Sequence, residues 1–455
     1  MRWNIFVCAS CLFSIVLYYA GNDTREGQTM PLRKSLAASP SFTIALKPVT
    51  LKKAIPFLQS CAWARAGDKV LLIGGRIEGF HGLSELDTIF NSRKANTSAW
   101  VLNLTDFSAH EMPLDQKDPF MLQFFSTSME FFQDKDTLYL VGGFGLRKPG
   151  GIKSNHTFDR MVAIQVSKMI QAVETKGSIR KAILDVASSP FVQVTGGELK
   201  KTGNLFYLMF GQKYDTVYTE QTSGVYTSAL KKFRFTKGTI TDTSAYRNSI
   251  LHRRDLTLAS LSRKQGNLYL ALGGVFTTAG DGYQNPIYLD LNEFSAKTDT
   301  LKQITNQYDC AFATIYDQLS GTNAILLMGG IGMYQYDAKT KKWEHGDGGE
   351  LLPFVKSITQ IKYQNGKLSQ HVQLPPLEAE MPGFIGANAI FFPFSKLLYS
   401  NGVIDYQKLK GDSVAIGYVY GGIKSSFPSS DFTPTTINNT VYQVVLYKTA
   451  GSRKK

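Results

Sequence analysis

The sequence predicts an all-β chain folded as a six-bladed β-propeller, closed by an N-terminal strand that joins the last blade. Three observations predict it. First, an apolar run ending in paired glycines recurs: Leu71–Gly75, Leu138–Gly143, Asn267–Gly274, Ile325–Gly330 and Val419–Gly422, with Leu205–Gly211 keeping only the second glycine. The first glycine positions, with Phe210 standing in the third, are 68, 68, 63, 56 and 92 residues apart. That is the length of one supersecondary unit repeated six times. Second, each run is apolar on both faces, as a strand sandwiched inside packed sheets must be. Third, each run sits in the same order of strands and turns, four strands to a unit. The glycine pair lets the backbone turn with positive φ where neighbouring sheets crowd together.

Composition narrows the function classes. Of 455 residues, 43% are hydrophobic and 12% aromatic, which excludes a largely disordered chain. The formal charge of +14 favours contact with anionic groups such as acidic polysaccharide. The cations are nevertheless dispersed, with only short clusters such as Lys52-Lys53, Lys231-Lys232 and Lys339–Lys342. They accompany no nucleic-acid motif, so a generally basic, solvated surface is the reading and no nucleic acid is expected. Outside Cys8 and Cys11 the only cysteines are Cys61 and Cys310, with no CxxC pair to suggest zinc. Both fall at the start of innermost strands, in blades one and five. Blade six lies between them, beyond the roughly 7 Å limit for a disulfide, so two buried free thiols are predicted.

Taken in order, residues 1–20 carry Arg2 and then an apolar run from Ile5 to Ala20, the size of a secretory signal region. An uncleaved anchor and lipidation at Cys11 are the alternatives. The expected location is secreted, periplasmic or cell-surface. Residues 21–40 read as a polar linker, residues 41–449 as the propeller and residues 450–455 as a basic tail. Phe42–Pro48 is a strand that precedes the first full repeat. The last repeat is short, so this strand is expected to form the outer edge of blade six. Inner strands are expected at Leu58–Ala64, Phe120–Phe132, Phe191–Leu199, Leu256–Ser262, Cys310–Tyr316 and Phe384–Phe392. Third strands are expected at Ala99–Asn103, Met161–Val166, Leu230–Phe235, Ile287–Leu291, Ile358–Tyr363 and Val441–Tyr447. A fourth is clearest at Lys367–Leu374, after the hairpin turn Asn365-Gly366.

The double-glycine strands, together with Tyr334, Tyr336 and Trp343 downstream of one pair, resemble Kelch repeats. Four further segments resemble secreted Kelch-like proteins of Bacteroidota: His252-Arg253-Arg254-Asp255, Leu352–Lys356, Met381-Pro382-Gly383 and Gly417–Ser426. The resemblance spans about Phe42 to Lys448 and implies a six- or seven-bladed propeller. It implies no particular activity.

His252-Arg253-Arg254-Asp255 is the chemically unusual stretch. It precedes the fourth inner strand, where other repeats are mostly uncharged (Gln59-Ser60, Gln123–Phe125, Gln193, Gly383-Phe384), and only Tyr308-Asp309 adds charge. Two arginines offer fork-shaped donors for a carboxylate or sulfate, with Asp255 and Asp309 as internal partners. Two readings stay open: a buried Arg–Asp network between blades, or recognition of an anionic ligand. One arginine is expected to enter a blade interface and the other to face the channel mouth, since adjacent strand residues point to opposite faces. The long connection 331–350, with Tyr334, Tyr336, Trp343 and His345, is a second binding candidate, although Trp343 also reads as a cover for its own blade. The six histidines, none paired at ligand spacing, argue against the copper chemistry of galactose oxidase, which has a Kelch-type propeller. No metal or other cofactor is expected. The leading function is a binding module, monomeric, for a protein or an acidic glycan. The alternative is a carbohydrate-active enzyme of the Kelch mutarotase type, recruiting Arg253, Arg254, His252 and Glu198.

Overall fold

Short apolar runs divided by tight turns leave each segment only its neighbours to pair with, and the result is a series of antiparallel meanders. The computed structural model describes residues 42–79, 94–147, 155–215, 224–261, 267–346, 352–428 and 435–449. The expected leader, linker and basic tail lie outside them. The fold is all-β, with one α-helix among the described residues.

Six sheets share one pattern. The first runs Ala62–Ala66, Lys69–Ile73, Ser98–Asn103 and Ala109–Pro113, each strand antiparallel to the next. The second runs from Glu130–Asp134 to Ile183–Ser188, the third from Thr195–Thr202 to Thr239–Arg247 and the fourth from Thr257–Ser260 to Ser295–Thr298. The fifth runs from Ala311–Asp317 to Lys367–Val372, turning at Asn365 and Gly366 with φ of 50° and 75° as an Asn-Gly hairpin requires. The sixth takes three strands from the end of the chain, Ile390–Pro393, Ser413–Tyr420 and Tyr442–Lys448. Its fourth strand is Phe42–Pro48, paired residue for residue from Phe42↔Lys448 to Pro48↔Tyr442.

The core lies between sheets rather than within any one of them. Val141, Met161, Val194 and Phe206 join the second and third, and Leu270, Leu272, Ile325 and Leu327 the fourth and fifth. Leu58, Val70, Leu72, Phe392 and Tyr420 join the first sheet to the sixth. The glycine pairs sit at these boundaries. The second glycine's amide donates to a carbonyl of the following unit: Gly75 to Ser126, Gly143 to Val194, Gly211 to Arg253, Gly330 to Ile385 and Gly422 to Leu58, at 2.8–3.1 Å. The last of these runs from the end of the chain back to its beginning. Two glutamines clamp neighbouring strands in the same manner. Gln133 brackets the backbone of Arg65, and Gln373 brackets that of Ile44, with all four bonds at 2.7–2.9 Å.

Two expectations need correction. Met161–Val166 ends one residue sooner as a strand, because Val166 starts the helix Val166–Thr175. Val166, Met169, Ile170 and Val173 recur at helical spacing and pack beneath the first two sheets with Ala62, Leu71 and Leu138. The inner strands of the first, second, third and sixth sheets also begin later than expected, the first at Ala62 rather than Leu58. Met121–Phe125 and Pro190–Val192 are 3₁₀ turns, and Phe384–Phe392 is divided into Phe384–Ala387 and Ile390–Pro393 around Asn388.

Cys61 and Cys310 are both free and buried, and burial pushes each thiol up to about 12. Scarcely any thiolate exists at neutral pH, so both are expected to resist maleimide labelling until denaturant is added. Rapid labelling of the native protein would show the opposite.

Candidate functional site

At the start of each inner strand, one residue per sheet takes a left-handed backbone: Ser60, Ser128, Gly196, Asp255, Asp309 and Asn388, all with φ between 51° and 70°. Asp and Asn tolerate this region better than most residues, and five non-glycine residues held there mark a strained collar. Five of the six successive pairs are hydrogen-bonded through the backbone. Ser128 N–H donates to Ser60, Gly196 to Ser128, Asp255 to Gly196, Asn388 to Asp309 and Ser60 to Asn388, at 2.5–3.5 Å.

All six line a cavity of about 930 Å³. From the collar it follows the inner strands to their hairpin turns, reaching Lys135, Gly203 and Asn267. None of the residues that immediately follow a glycine pair lines it. Its walls carry Trp63, Phe131, Tyr269, Phe312 and Phe391. The connection between the first two strands of the sixth sheet crosses the same end. Its Ile404-Asp405 pairs in parallel with Ile315-Tyr316, and Leu398 and Val403 also line the cavity.

Charge along the cavity is uneven. Towards the hairpin turns Lys200 pairs with Glu198 at 2.9 Å, Lys201 with Asp134 at 2.5 Å and Arg65 with Asp68 at 3.1 Å. At the collar lie Asp255 and Asp309. Burial raises the Asp309 carboxyl well above the usual range and the charge of Asp255 adds to this, while Arg254 and a hydrogen bond with Asn388 oppose it. Asp255 is raised by burial too, against the pull of Arg254, whose Nη1 donates to it at 2.5 Å. Burial therefore drives the Asp309 carboxyl towards its protonated form, in which it donates as well as accepts, while Asp255 stays paired with Arg254.

Behind the collar, Glu130 is 2% exposed. Its Oε1 accepts the Gly197 N–H at 2.8 Å and its Oε2 has no partner. Burial pushes this carboxyl up to about 8. A folded-state value above the unfolded one means that the folded state holds the proton more tightly, so this group's stabilisation fades as pH rises from about 4.5 to about 8. Glu130→Gln keeps the acceptor without the charge. It is expected to flatten the fall of melting temperature over that range and to melt above wild type at pH 9. Parallel pH profiles for the two proteins would contradict this.

The residues singled out in the sequence fall in three places. Asp255 and Asp309 lie in the collar and line the cavity, whereas His252, Arg253 and Arg254 do not line it. Arg253 is 3% exposed and its Nη1 donates to the Gly273 carbonyl at 3.1 Å. Arg254 lies over the Phe276 ring, 5.2 Å from its centroid, and is neutralised by Asp255. The expected division between a buried arginine and a channel-facing one is thus corrected: both are tied into the boundary between sheets, and it is their carboxylate neighbours that face the cavity. Tyr308 is buried among Val275, Ile331 and Phe354. Tyr334 meets His345 edge-on at 4.9 Å and feels the charge of Asp281. Trp343 is buried against Tyr336, its cross-strand neighbour in the hairpin Tyr334–Asp337/Lys342–His345. Among the described residues no group of three His, Cys, Asp or Glu side chains is arranged to hold a metal ion.

The positions read from the sequence as equivalent to His252–Asp255 coincide with the collar at Gln59-Ser60 and Tyr308-Asp309 but fall three to five residues early in the second sheet, where Ser128 takes the place of Gln123–Phe125. In the third sheet Gly196 replaces Gln193, and in the sixth Asn388 replaces Gly383-Phe384. A signal was available: fourteen residues separate each of Ser60, Ser128 and Gly196 from the first position of its glycine pair.

No family model matches the chain, and no curated protein matches it significantly. Among solved structures, one titled "Structure of YjhT" is similar, with a TM-score of 0.47 at 11% identity, over 85% of this chain and 95% of that one.

Proposed function

We propose that the six sheets are the blades of a closed, six-bladed, Kelch-like propeller, and that the protein is a secreted or cell-surface module binding an acidic saccharide in its central cavity. The hydrogen bonds that return from Gly422 to Leu58 and from Ser60 to Asn388 support closure. The cavity itself carries the functional reading. Its volume of about 930 Å³ suits an oligosaccharide-sized ligand. Aromatic walls offer faces for sugar rings, and the proton-retaining Asp309 carboxyl at the collar offers a donor for a hydroxyl. Along the rest of the lining Arg65, Lys200 and Lys201 are held in ion pairs and Lys135 adds a further cation, which with the overall charge of +14 favours an acidic ligand over a neutral one.

Calorimetric titration with matched acidic and neutral saccharides tests the reading. Acidic ones should bind at least tenfold tighter, and Lys135→Met/Lys200→Met should erase the difference. Equal affinity for the two classes, or no binding of either, would sink it.

The second reading is a carbohydrate-active enzyme, favoured by the adjacent carboxyls Asp255 and Asp309 with Arg254 beside them. Their raised affinity for protons suits general acid–base work. Following a bound acidic sugar by NMR decides between the two. Turnover that Asp309→Asn abolishes without loss of binding would establish an enzyme, and an unchanged sugar leaves the binding module.

A further inference from the structure

In every sheet the carbonyl at the first position of the glycine pair is taken by a side-chain donor. Asn96 donates to Gly74, Gln123 to Gly142, Thr227 to Phe210, Gln307 to Gly329 and Asn438 to Gly421, at 2.5–3.1 Å. All five donors are neutral. In the fourth sheet the donor to Gly273 is Arg253. Arg253 stands two residues before the collar residue Asp255, just as Gln307 stands two before Asp309. A glutamine therefore does the capping one sheet further on, and the cap itself needs no charge.

The charge is nevertheless kept, in a costly place. Arg253 is 3% exposed, its Nε has no partner, and it makes no ion pair with any described carboxylate. Burial lowers its proton affinity to about 10, so it remains a cation at neutral pH. An uncompensated buried cation is unfavourable unless something supplies the missing charge. Around it the chain has built a half-buried aromatic shell. The guanidinium lies over the Tyr283 ring at 4.3 Å, and the Tyr283 hydroxyl meets His252 Nδ1 at 3.0 Å. His252 stacks on Tyr226 at 3.9 Å with 18° between the rings, and the Tyr226 hydroxyl accepts the Phe276 N–H at 3.0 Å.

We propose that Arg253, with Tyr283, His252 and Tyr226, forms an oxyanion site on the glycine-pair side of the collar, separate from the central cavity, for a carboxylate or sulfate group whose carrier lies against the half-exposed rings. The guanidinium fork supplies planar paired donors, and the rings exclude water from the contact.

The test is thermal melting of the full chain at constant ionic strength in sodium chloride, sodium sulfate or sodium glucuronate. Sulfate stabilises most proteins through surface exclusion, so the reading is the difference between wild type and Arg253→Gln. The variant should melt with wild type in chloride, because glutamine retains the cap. Wild type should show an additional, saturating rise in sulfate or glucuronate that R253Q lacks, and the salt giving the larger rise identifies the group. Lys135→Met/Lys200→Met, altered only in the central cavity, should keep the rise in sulfate. Equal responses of wild type and R253Q to both anions would overturn the proposal. So would R253Q melting far below wild type in chloride, since the equivalence with Gln307 would then be wrong.

Discussion

A chain lacking residues 21–48 is expected to lose its cooperative fold. Phe42–Pro48 is the outer strand of the sixth sheet, held by seven residue pairs to Tyr442–Lys448. Phe42 and Ile44 are 2% and 0% exposed, and burying two such side chains is worth roughly 3–6 kcal/mol. Set against a typical total of about 5–15 kcal/mol, that loss alone is severe. The ladder is lost with it, leaving Tyr442–Lys448 as an open edge with a row of unpaired backbone groups. Gln360 and Gln373, which donate to the carbonyls of Phe42 and Ile44 at 2.9 Å, would also be stranded. Aggregation on expression or a broad, early melt is the expected result. A melting temperature equal to that of the intact chain would show that the strand closes nothing.

The second large effect is expected from one methyl group. Gly329 has φ of 66°, and a Cβ built there would stand 1.9 Å from the Ile385 carbonyl oxygen. That oxygen is backbone, fixed by its bond from the Gly330 amide at 3.1 Å, and cannot swing aside. Left-handed strain and forced separation of Gly329 from the Phe384–Ala387 strand together cost roughly 2–6 kcal/mol. Gly366 provides the comparison. Its φ is 75°, but nothing lies within 4 Å of a Cβ built there, so Gly366→Ala carries only the backbone strain of about 1–2 kcal/mol. Gly329→Ala should therefore melt well below Gly366→Ala. If the two melt together, the glycine pairs are needed for their dihedrals alone and not for close approach between sheets.

The contrast shows what was legible in the sequence. The repeated glycine pairs are a one-dimensional signal with a single local cause, and they located the second strand of every sheet. The unpaired end strand was legible for the same reason, because a closed array leaves few places for Phe42–Pro48 to go. The collar was harder. Its members are chemically unlike one another (Ser60, Ser128, Gly196, Asp255, Asp309, Asn388) and share only a left-handed backbone, which composition does not display. The 3₁₀ turns at Met121–Phe125 and Pro190–Val192 are apolar enough to pass for strand, which slid the expected register by three to five residues. The helix was missed because Val166 serves as the end of one apolar run and the start of another. The capping role of Arg253 follows from long-range contact and no local pattern reports it. The conspicuous charges at 252–254 consequently drew attention to one side of the collar, whereas the cavity lies on the other.

The cavity as binding site is tested most directly by placing a probe inside it. Ser260 lines the cavity and is partly exposed, while the two native thiols near the collar are buried and almost wholly protonated. In a chain that also carries Cys8→Ser and Cys11→Ser, maleimide labelling of Ser260→Cys would thus report the cavity against a silent background. Measured with and without a saturating amount of the tightest-binding acidic saccharide, the labelling rate should fall at least tenfold when ligand is present. An unchanged rate, with that ligand demonstrably bound, would mean that the protein takes its ligand elsewhere.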